Sequence, residues 1–285
     1  MRRAARALAR SALAAAAAGF GCLIYIFLTL PDVRPLRTQN PATTAFMELR
    51  AREALAQGNA AAKDWRWVSY AHISANLKRA VIVTEDDAFW KHGGVDYDQL
   101  RESMEVNWER GEFARGASTI TQQLAKNLYL SPSKNPIRKL KELLITRRLE
   151  AELSKQRILE LYLNVIEWGG GIWGAEAAAR RYFHKGAVDL TPTESALLAA
   201  AIANPHLMDP GHPSARLRRR QQMIMRRMGA VTPPPVIVEP VPPLPAAEPA
   251  SPTPDLPDTG LPSALPGAPV PAPIAPKKPG GGSGT

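Results

Sequence analysis

Three acids stand in a row, Glu85, Asp86 and Asp87, directly after the apolar run V-I-V-T. A carboxylate at the edge of buried structure can have its proton affinity raised toward working pH, which suits a general base. Phe89 and Trp90 can supply apolar walls, His92, Gly93 and Gly94 turn the chain, and Asp96 can fix that turn or orient a neighbour. Taken alone, the triplet reads more simply as solvated acids at a helix C-terminus. A second set lies in Gly116–Leu130. Ser118 is placed as an N-cap before a helix that starts at Thr119. Thr119, Gln123 and Lys126 then share one helix face, with Ile120, Leu124 and Leu128 as an apolar stripe beside it. A glycine-led helix N-terminus offers free N–H groups and positive dipole character, an anion site to which Lys126 adds a charge fit for phosphate. An ordinary solvent face is rich in Glu and Lys; T-Q-Q-K-N is not, so this face reads as functional. A third set is basic: Arg138, Lys139, Lys141 and Arg147, with Arg138/Glu142 and Arg148/Glu152 at i, i+4. Arg138 and Lys139 can neutralise a diphosphate, with Glu142 holding them or a metal in place. By itself this set reads as a solvated helix with surface ion pairs that contribute little.

These sets must be held by helices. Thr44–Gln57 has an amphipathic pattern, Asp64–Tyr70 reads as extended, and Ile73–Thr84 is a helix that delivers the chain to Glu85. Pro136–Val165 is the longest periodic segment, one or two helices with a break near Ser154. Glu167–Gly174 is a glycine-rich turn. Ala175–Phe183 and Pro192–Ala203 read as helices, the latter with Thr191 and Glu194 in a capping box. Arg216–Met228 is a basic helix. No strand of convincing length is predicted, and the fold class is mainly α.

The 285 residues do not all belong to one core. Four arginines precede an uncharged run, Ser11 to Leu30, whose twenty residues span roughly 30 Å as a helix, the thickness of a bilayer's hydrocarbon core. The strongest apolar residues come last, with no A-x-A exit, so the run reads as an uncleaved anchor. The arginines place the N-terminus in the cytoplasm and the main domain outside. The organisation expected is 1–10 cytoplasmic, 11–31 anchor, 32–43 linker, 44–229 catalytic domain, and 230–285 a proline-rich tail that cannot bury a core.

Lys plus Arg is 36 against 26 for Asp plus Glu, a formal net charge of +10, which suggests an anionic partner. The single cysteine, Cys22, excludes an intrachain disulfide framework. The five histidines show no ligand spacing. Gly169–Gly171 lacks the GK[ST] of a phosphate loop, and Ser118 lacks the GxSxG context of a hydrolase. Arg218–Arg220 and Arg226–Arg227 suit DNA or anionic lipid; beside an anchor, lipid headgroups are the better reading and nucleic acid is not expected.

Six ordered segments together resemble the peptidoglycan glycosyltransferases of family 51, in the monofunctional biosynthetic form without a transpeptidase domain. They are E-D-D-A-F-W-K-H-G-G-V-D (85–96), G-A-S-T-I-T-Q-Q-L-A-K-N (116–127), R-K-L-K-E (138–142), L-S-K-Q-R-I-L-E-L-Y-L-N (153–164), G-I-W-G-A-E-A-A-A-R-R-Y-F (171–183) and L-T-P-T-E-S-A-L-L-A (190–199). Ala117 departs from the family, which usually has a second glycine there. The resemblance implies a lysozyme-like α domain with a smaller membrane-associated lobe, in which Leu100, Met104, Val106, Trp108 and Phe113 can touch lipid. It implies that lipid II is polymerised into β-1,4 glycan with inversion and release of undecaprenyl diphosphate. On the family pattern Glu85 is the general base and Glu142 the second essential carboxylate. Lys126, Arg138 and Lys139 lie at the leaving diphosphate, where a divalent cation, Mg or Mn, is also expected. Ser118, Thr119, Gln122, Gln123 and Asn127 are expected to contact substrate, and Asp86, Phe89 and His92 to shape the Glu85 site. The implied partners are lipid II, the growing glycan, membrane lipids and other cell-wall synthesis or division proteins, and the implied location is the bacterial inner membrane. Two rivals stand beside this reading. A membrane-bound lytic enzyme would need no diphosphate cluster, and a non-enzymatic scaffold would need neither Glu85 nor Glu142.

Overall fold

The computed structural model describes residues 2–110, 118–133 and 135–230. Phe113, Gly116, Ala117, the side chain of Trp108 and the tail from 231 lie outside the described residues. Helix α1, Arg2–Leu28, contains an apolar span, Arg10–Leu28, long enough to cross a membrane. Arg148 reaches its C-terminal end. Its guanidinium donates to the carbonyls of Phe27, Leu30 and Pro31 and lies over the Phe27 ring. The expected Arg148–Glu152 pair is not formed, because Arg148 is turned to these carbonyls at the end of α1. Glu152 pairs with Arg37 instead.

Helix α2, Ala45–Ala56, is capped by Thr44, whose side chain accepts from the Met47 N–H. The extended stretch expected at Asp64–Tyr70 is shorter, a strand β1 at Asp64–Trp65 followed by a 3-10 turn at Tyr70–His72. Helix α3, Ala75–Glu85, starts two residues later than the periodicity suggests. Ser74 accepts from the Asn76 N–H and donates to the Leu190 carbonyl, so it is cap and tether at once. Leu77 and Ala80–Val83 are buried, and this apolar run carries the last helical residue, Glu85, to the rim of the core.

Helices α4 (Tyr97–Arg110), α5 (Ile120–Tyr129), α6 (Pro136–Glu152) and α7 (Lys155–Val165) follow. The break between α6 and α7 falls where the pattern placed it, with Ser154 accepting from the Arg157 N–H. On α4, Tyr97, Leu100 and Met104 are exposed at helical spacing. The turn expected at Glu167–Gly174 is a hairpin, β2 (Glu167–Gly169) and β3 (Ile172–Trp173), and β1 lies parallel to β3 to give the order β1-β3-β2. Strands of two or three residues are too short to show an alternating pattern, which is why the sequence did not display them.

Helix α8, Ala175–Phe183, leads to α9, Pro192–Ala201, which has the expected Thr191–Glu194 capping box. Ser195 to Ala201 are all buried, and α9 lies against α3 and α10 (Ala215–Ala230). A helix apolar on every face belongs inside a core. Each fully buried leucine here, Leu77 or Leu198 for example, contributes about 1.5–3 kcal/mol. Helix α5 packs on α6 and α7, which completes the second half of the core.

Gly174 opens α8 at φ +81°, and a Cβ there would stand 2.7 Å from the Asn164 carbonyl oxygen. The left-handed backbone alone costs an ordinary residue about 1–2 kcal/mol. Gly174→Ala is therefore expected to lower the thermal unfolding midpoint of the full chain. Gly170→Ala, at a glycine with open space around it, is expected to leave the midpoint nearly unchanged.

Candidate active site

The site begins with Asp86, which is buried. One carboxylate oxygen accepts from the backbone N–H of Ile120 at 2.9 Å, and the other meets His92 Nε2 at 2.8 Å. His92 Nδ1 accepts from the Gly94 N–H, so the ring is held with its proton on Nε2, donating to Asp86. Gly94 sits at φ +89°, and a Cβ there would crowd Thr146 and Glu150. Its carbonyl accepts from the Thr119 hydroxyl at 2.7 Å. The turn after α3 is thus bonded into the start of α5.

This changes several expectations. The N-cap of α5 is Thr119 and not Ser118. The Thr119 side chain accepts from the Gln122 N–H while the Gln122 side chain accepts from the Thr119 N–H. Both residues are buried, and the Thr119 hydroxyl and Gln122 Oε1 are engaged in the cap. Asp86 and Phe89 are likewise buried, with Phe89 under the Lys155 ammonium, and their part is structural support. The anion site expected at the helix N-terminus is already filled, because Asp86 itself supplies the negative charge there. Asn127 is buried and donates to the Gln123 backbone carbonyl. Ser118 is exposed and lines the cleft.

Glu85 opens onto a cleft of about 670 Å³. Burial raises its proton affinity; a hydrogen bond from Gln123 and the charges of Arg220 and Lys126 oppose that rise. Gln123 Nε2 donates to Glu85 Oε2 at 3.0 Å, and Gln123 Oε1 accepts from the Tyr162 hydroxyl at 2.9 Å. Across the cleft stand Arg220 and Arg227 of α10, with Arg227 paired to Asp87 at 3.2 Å, and Gln99 and Glu102 of α4. Sequence reasoning assigned these arginines to lipid headgroups. Arg220 and Arg227 turn inward instead, and their seven-residue interval, two helical turns that put them on one face, was the available signal. Tyr162 was seen only as part of an apolar pattern.

The second carboxylate, Glu142, is 3 % exposed, so the surface-pair reading is corrected. Arg138 Nη1 donates to Glu142 Oε2 at 2.6 Å and Lys139 Nζ to Glu142 Oε1. The Arg138 Nε also donates to the Ser133 carbonyl. Lys126 is partly buried, which lowers its proton affinity; Glu142 and Glu85 oppose this fall, and Arg138 and Lys139 add to it. Lys126 therefore feels both carboxylates. Arg138 and Lys139 pair with Glu142, and Lys126 stands between that cluster and Glu85.

Neither candidate metal position fits an ion. Both Glu142 oxygens are engaged by cations, and a metal there would have to displace them. Asp86, His92 and Asp96 bring ligand atoms within 4.8 Å of one another. Their atoms, however, are committed to the Ile120, Gly94 and Gln99 N–H groups and to each other. What the arrangement can do is remove a proton at Glu85 and stabilise negative charge at Lys126, Arg138 and Lys139.

Residues 52–229 match the family described as Transglycosylase. The chain is similar to the biosynthetic peptidoglycan transglycosylase of Nitrosomonas eutropha, 50 % identical over 192 residues, which cover 67 % of this chain and 79 % of the relative. It is similar to the protein of the same name from Chromobacterium violaceum, 45 % identical over 219 residues, 77 % and 95 % of the two chains. The Neisseria gonorrhoeae protein of that name is 47 % identical over 195 residues, 68 % and 83 % of the two chains.

The burial of Glu85 has a consequence for stability. A carboxyl group with raised proton affinity in the folded state binds more protons folded than unfolded, so stability falls as pH rises above the ordinary carboxylate value of about 4.3. Glu85→Gln removes that cost. Its unfolding midpoint is expected at or above the parent's at pH 7, with the difference gone near pH 4.

Proposed function

The chain belongs to the transglycosylase family and is a peptidoglycan glycosyltransferase of cell-wall synthesis, and from that membership we propose that it polymerises lipid II. The observation that supports this reading is that two kinds of chemistry are kept apart yet coupled, a carboxylate at the cleft and a cation cluster beside it. Glu85, a carboxylate with raised proton affinity, is joined through Lys126 to a cation cluster built on Glu142. A sugar hydroxyl needs the first, and a leaving diphosphate needs the second.

In this reading the 4-hydroxyl of the acceptor's GlcNAc lies against Glu85 and attacks C1 of the donor's MurNAc. Glu85 takes the hydroxyl proton as the new C–O bond forms. Gln123 holds the carboxylate in place and, by donating to one oxygen, leaves the other for the substrate. The bond from C1 to the diphosphate oxygen breaks with inversion, and undecaprenyl diphosphate departs with the bonding pair. Lys126, Arg138 and Lys139 meet the charge that develops on it. They are already in place and lose little by reorganising, which is what makes fixed charges effective in a transition state. Glu142, with both oxygens engaged by Arg138 and Lys139, holds these side chains where they supply the positive charge. Ser118, Arg220 and Arg227 line the wall where the acceptor would lie.

The chain is membrane-anchored, with α1 as the apolar helix. We place the N-terminus in the cytoplasm and the catalytic domain on the outer side of the inner membrane, on the arginines that precede the span. Tyr97, Leu100 and Met104 give α4 an exposed apolar face that fits the membrane-associated lobe. Residues 32–43, expected as a linker, pack on the domain, with Val33 and Leu36 buried and Arg157 donating to the Leu36 and Gln39 carbonyls, and we assign residues 231–285 to the tail.

Incubation of the full chain in detergent with labelled lipid II tests the reading. Glycan polymer and free undecaprenyl diphosphate are expected. Glu85→Gln is expected to slow turnover by roughly 10²–10⁴-fold, the usual worth of a general base; near-parental turnover in a folded variant would remove Glu85 from that role. Lys126→Ala is expected to lower kcat more than it raises KM, since the charge it meets appears chiefly in the transition state. A change confined to KM would show that it only binds the substrate.

A further inference from the structure

Tyr162 is completely buried in α7, and its hydroxyl touches the site only through another side chain. Its one hydrogen-bond partner among the described residues is Gln123 Oε1, at 2.9 Å. The far end of the same amide donates to Glu85 at 3.0 Å. A carboxamide has an acceptor end and a donor end of nearly the same shape, so something must decide which end faces the carboxylate.

At Gln123 the choice has a physical cause. Were the amide reversed, Nε2 would donate to the phenol oxygen and the Tyr162 proton would be left without an acceptor in the core. A buried donor stranded in this way costs free energy. With the amide as observed, every group is matched: the phenol donates to Oε1, and Nε2 donates to the carboxylate. The match is strongest when Glu85 is ionised, because a carboxylate oxygen is a better acceptor for the Nε2 donor than the oxygen of a carboxylic acid. Desolvation also pushes the phenol's proton affinity well above its ordinary value, so Tyr162 remains a donor throughout the working range.

We propose that Tyr162 is a positioning residue for the general base: it locks the Gln123 amide in the orientation that favours the ionised form of Glu85. This rests on the assignment of Glu85 as base. The buried phenol opposes the burial of Glu85 from behind, at one remove. Arg220 on α10 and Lys126 on α5 act in the same direction by charge, and Asp86 acts against them. Asp87, paired with Arg227, and Glu102 complete the charged groups around the cleft. None of these is touched by loss of the Tyr162 hydroxyl, so the effect of that loss can be read separately.

The test is Tyr162→Phe in the full chain in detergent micelles, read in two ways. The first is the titration of Glu85 itself, followed by carbon-13 NMR on protein labelled at the glutamate side-chain carboxyl carbon, with the signal assigned by its absence in Glu85→Gln. The second is the pH dependence of kcat/KM with lipid II. The Glu85 titration is expected to move to higher pH by about half a unit or more, with the acid limb of the activity profile moving equally, since one unit is tenfold in the ionisation equilibrium. A folded Tyr162→Phe whose Glu85 titrates as in the parent overturns the proposal, whatever its activity. If the titration moves and the activity limb does not, the link from Tyr162 to Glu85 stands and the assignment of Glu85 as base falls. Should Tyr162→Phe not fold, Gln123→Met removes the amide through which the phenol acts on Glu85. An unmoved Glu85 titration there also overturns the proposal.

Discussion

Asp86 is buried, and its two oxygens are committed to groups six and thirty-four residues away, His92 and the Ile120 N–H. A buried carboxylate is tolerable only when it is fully hydrogen-bonded or paired, and here the partners are the turn that follows α3 and the first residue of α5. The consequence reaches its neighbour. Glu85 is the last residue of α3, and Gln123 and Lys126 lie on α5, so fixing the start of α5 against the end of α3 also fixes the base against the groups that surround it. Thr119 adds a second tie through the Gly94 carbonyl. The acid that does the chemistry and the acid that builds the site are adjacent in sequence and opposite in environment.

The same contrast governs the far side. Glu142 is nearly as buried as Asp86 but is matched by cations and not by N–H groups. Breaking a buried pair by removing one partner is strongly destabilising, because the remaining charge is left stranded. Glu142 thereby orders Arg138 and Lys139, and Lys126 stands within the influence of both carboxylates. A substrate that carries its own negative charge can replace part of what Glu142 supplies without disordering the set.

Much of this was legible in the sequence. The helices α3 and α5 to α9 followed from apolar spacing, with Thr191 and Glu194 marking a start and Ser154 a break, whereas α4 was read only as a connecting segment. Glu85, Gln123, Lys126, Arg138 and Glu142 were picked out before any geometry. What the sequence could not separate was a polar residue facing the cleft from one closing a cap. Ser118 and Thr119 are both good caps, and only the reach of Gln122 back to Thr119 distinguishes them. The hairpin was hidden because its strands are too short to alternate. The inward turn of Arg220 and Arg227 was missed because α10 was read by its charge, whereas Leu217, Ile224 and Met228, buried at helical spacing, set the face it turns to α9 and α3.

Helix α6 carries both the diphosphate cluster and the residue that grips the anchor. Arg138 and Glu142 lie in its first turns, and Arg148 binds the carbonyls that end α1 and the turn beyond it. Ten residues separate Arg138 from Arg148, about 15 Å along a rigid rod at 1.5 Å per residue. On the proposed function, where the chain leaves the bilayer and where the phosphates are held are two marks on one ruler. A lipid carrier would bring its headgroup to a depth that the membrane dictates, and the interval from Arg138 to Arg148 would set where the cation cluster meets it.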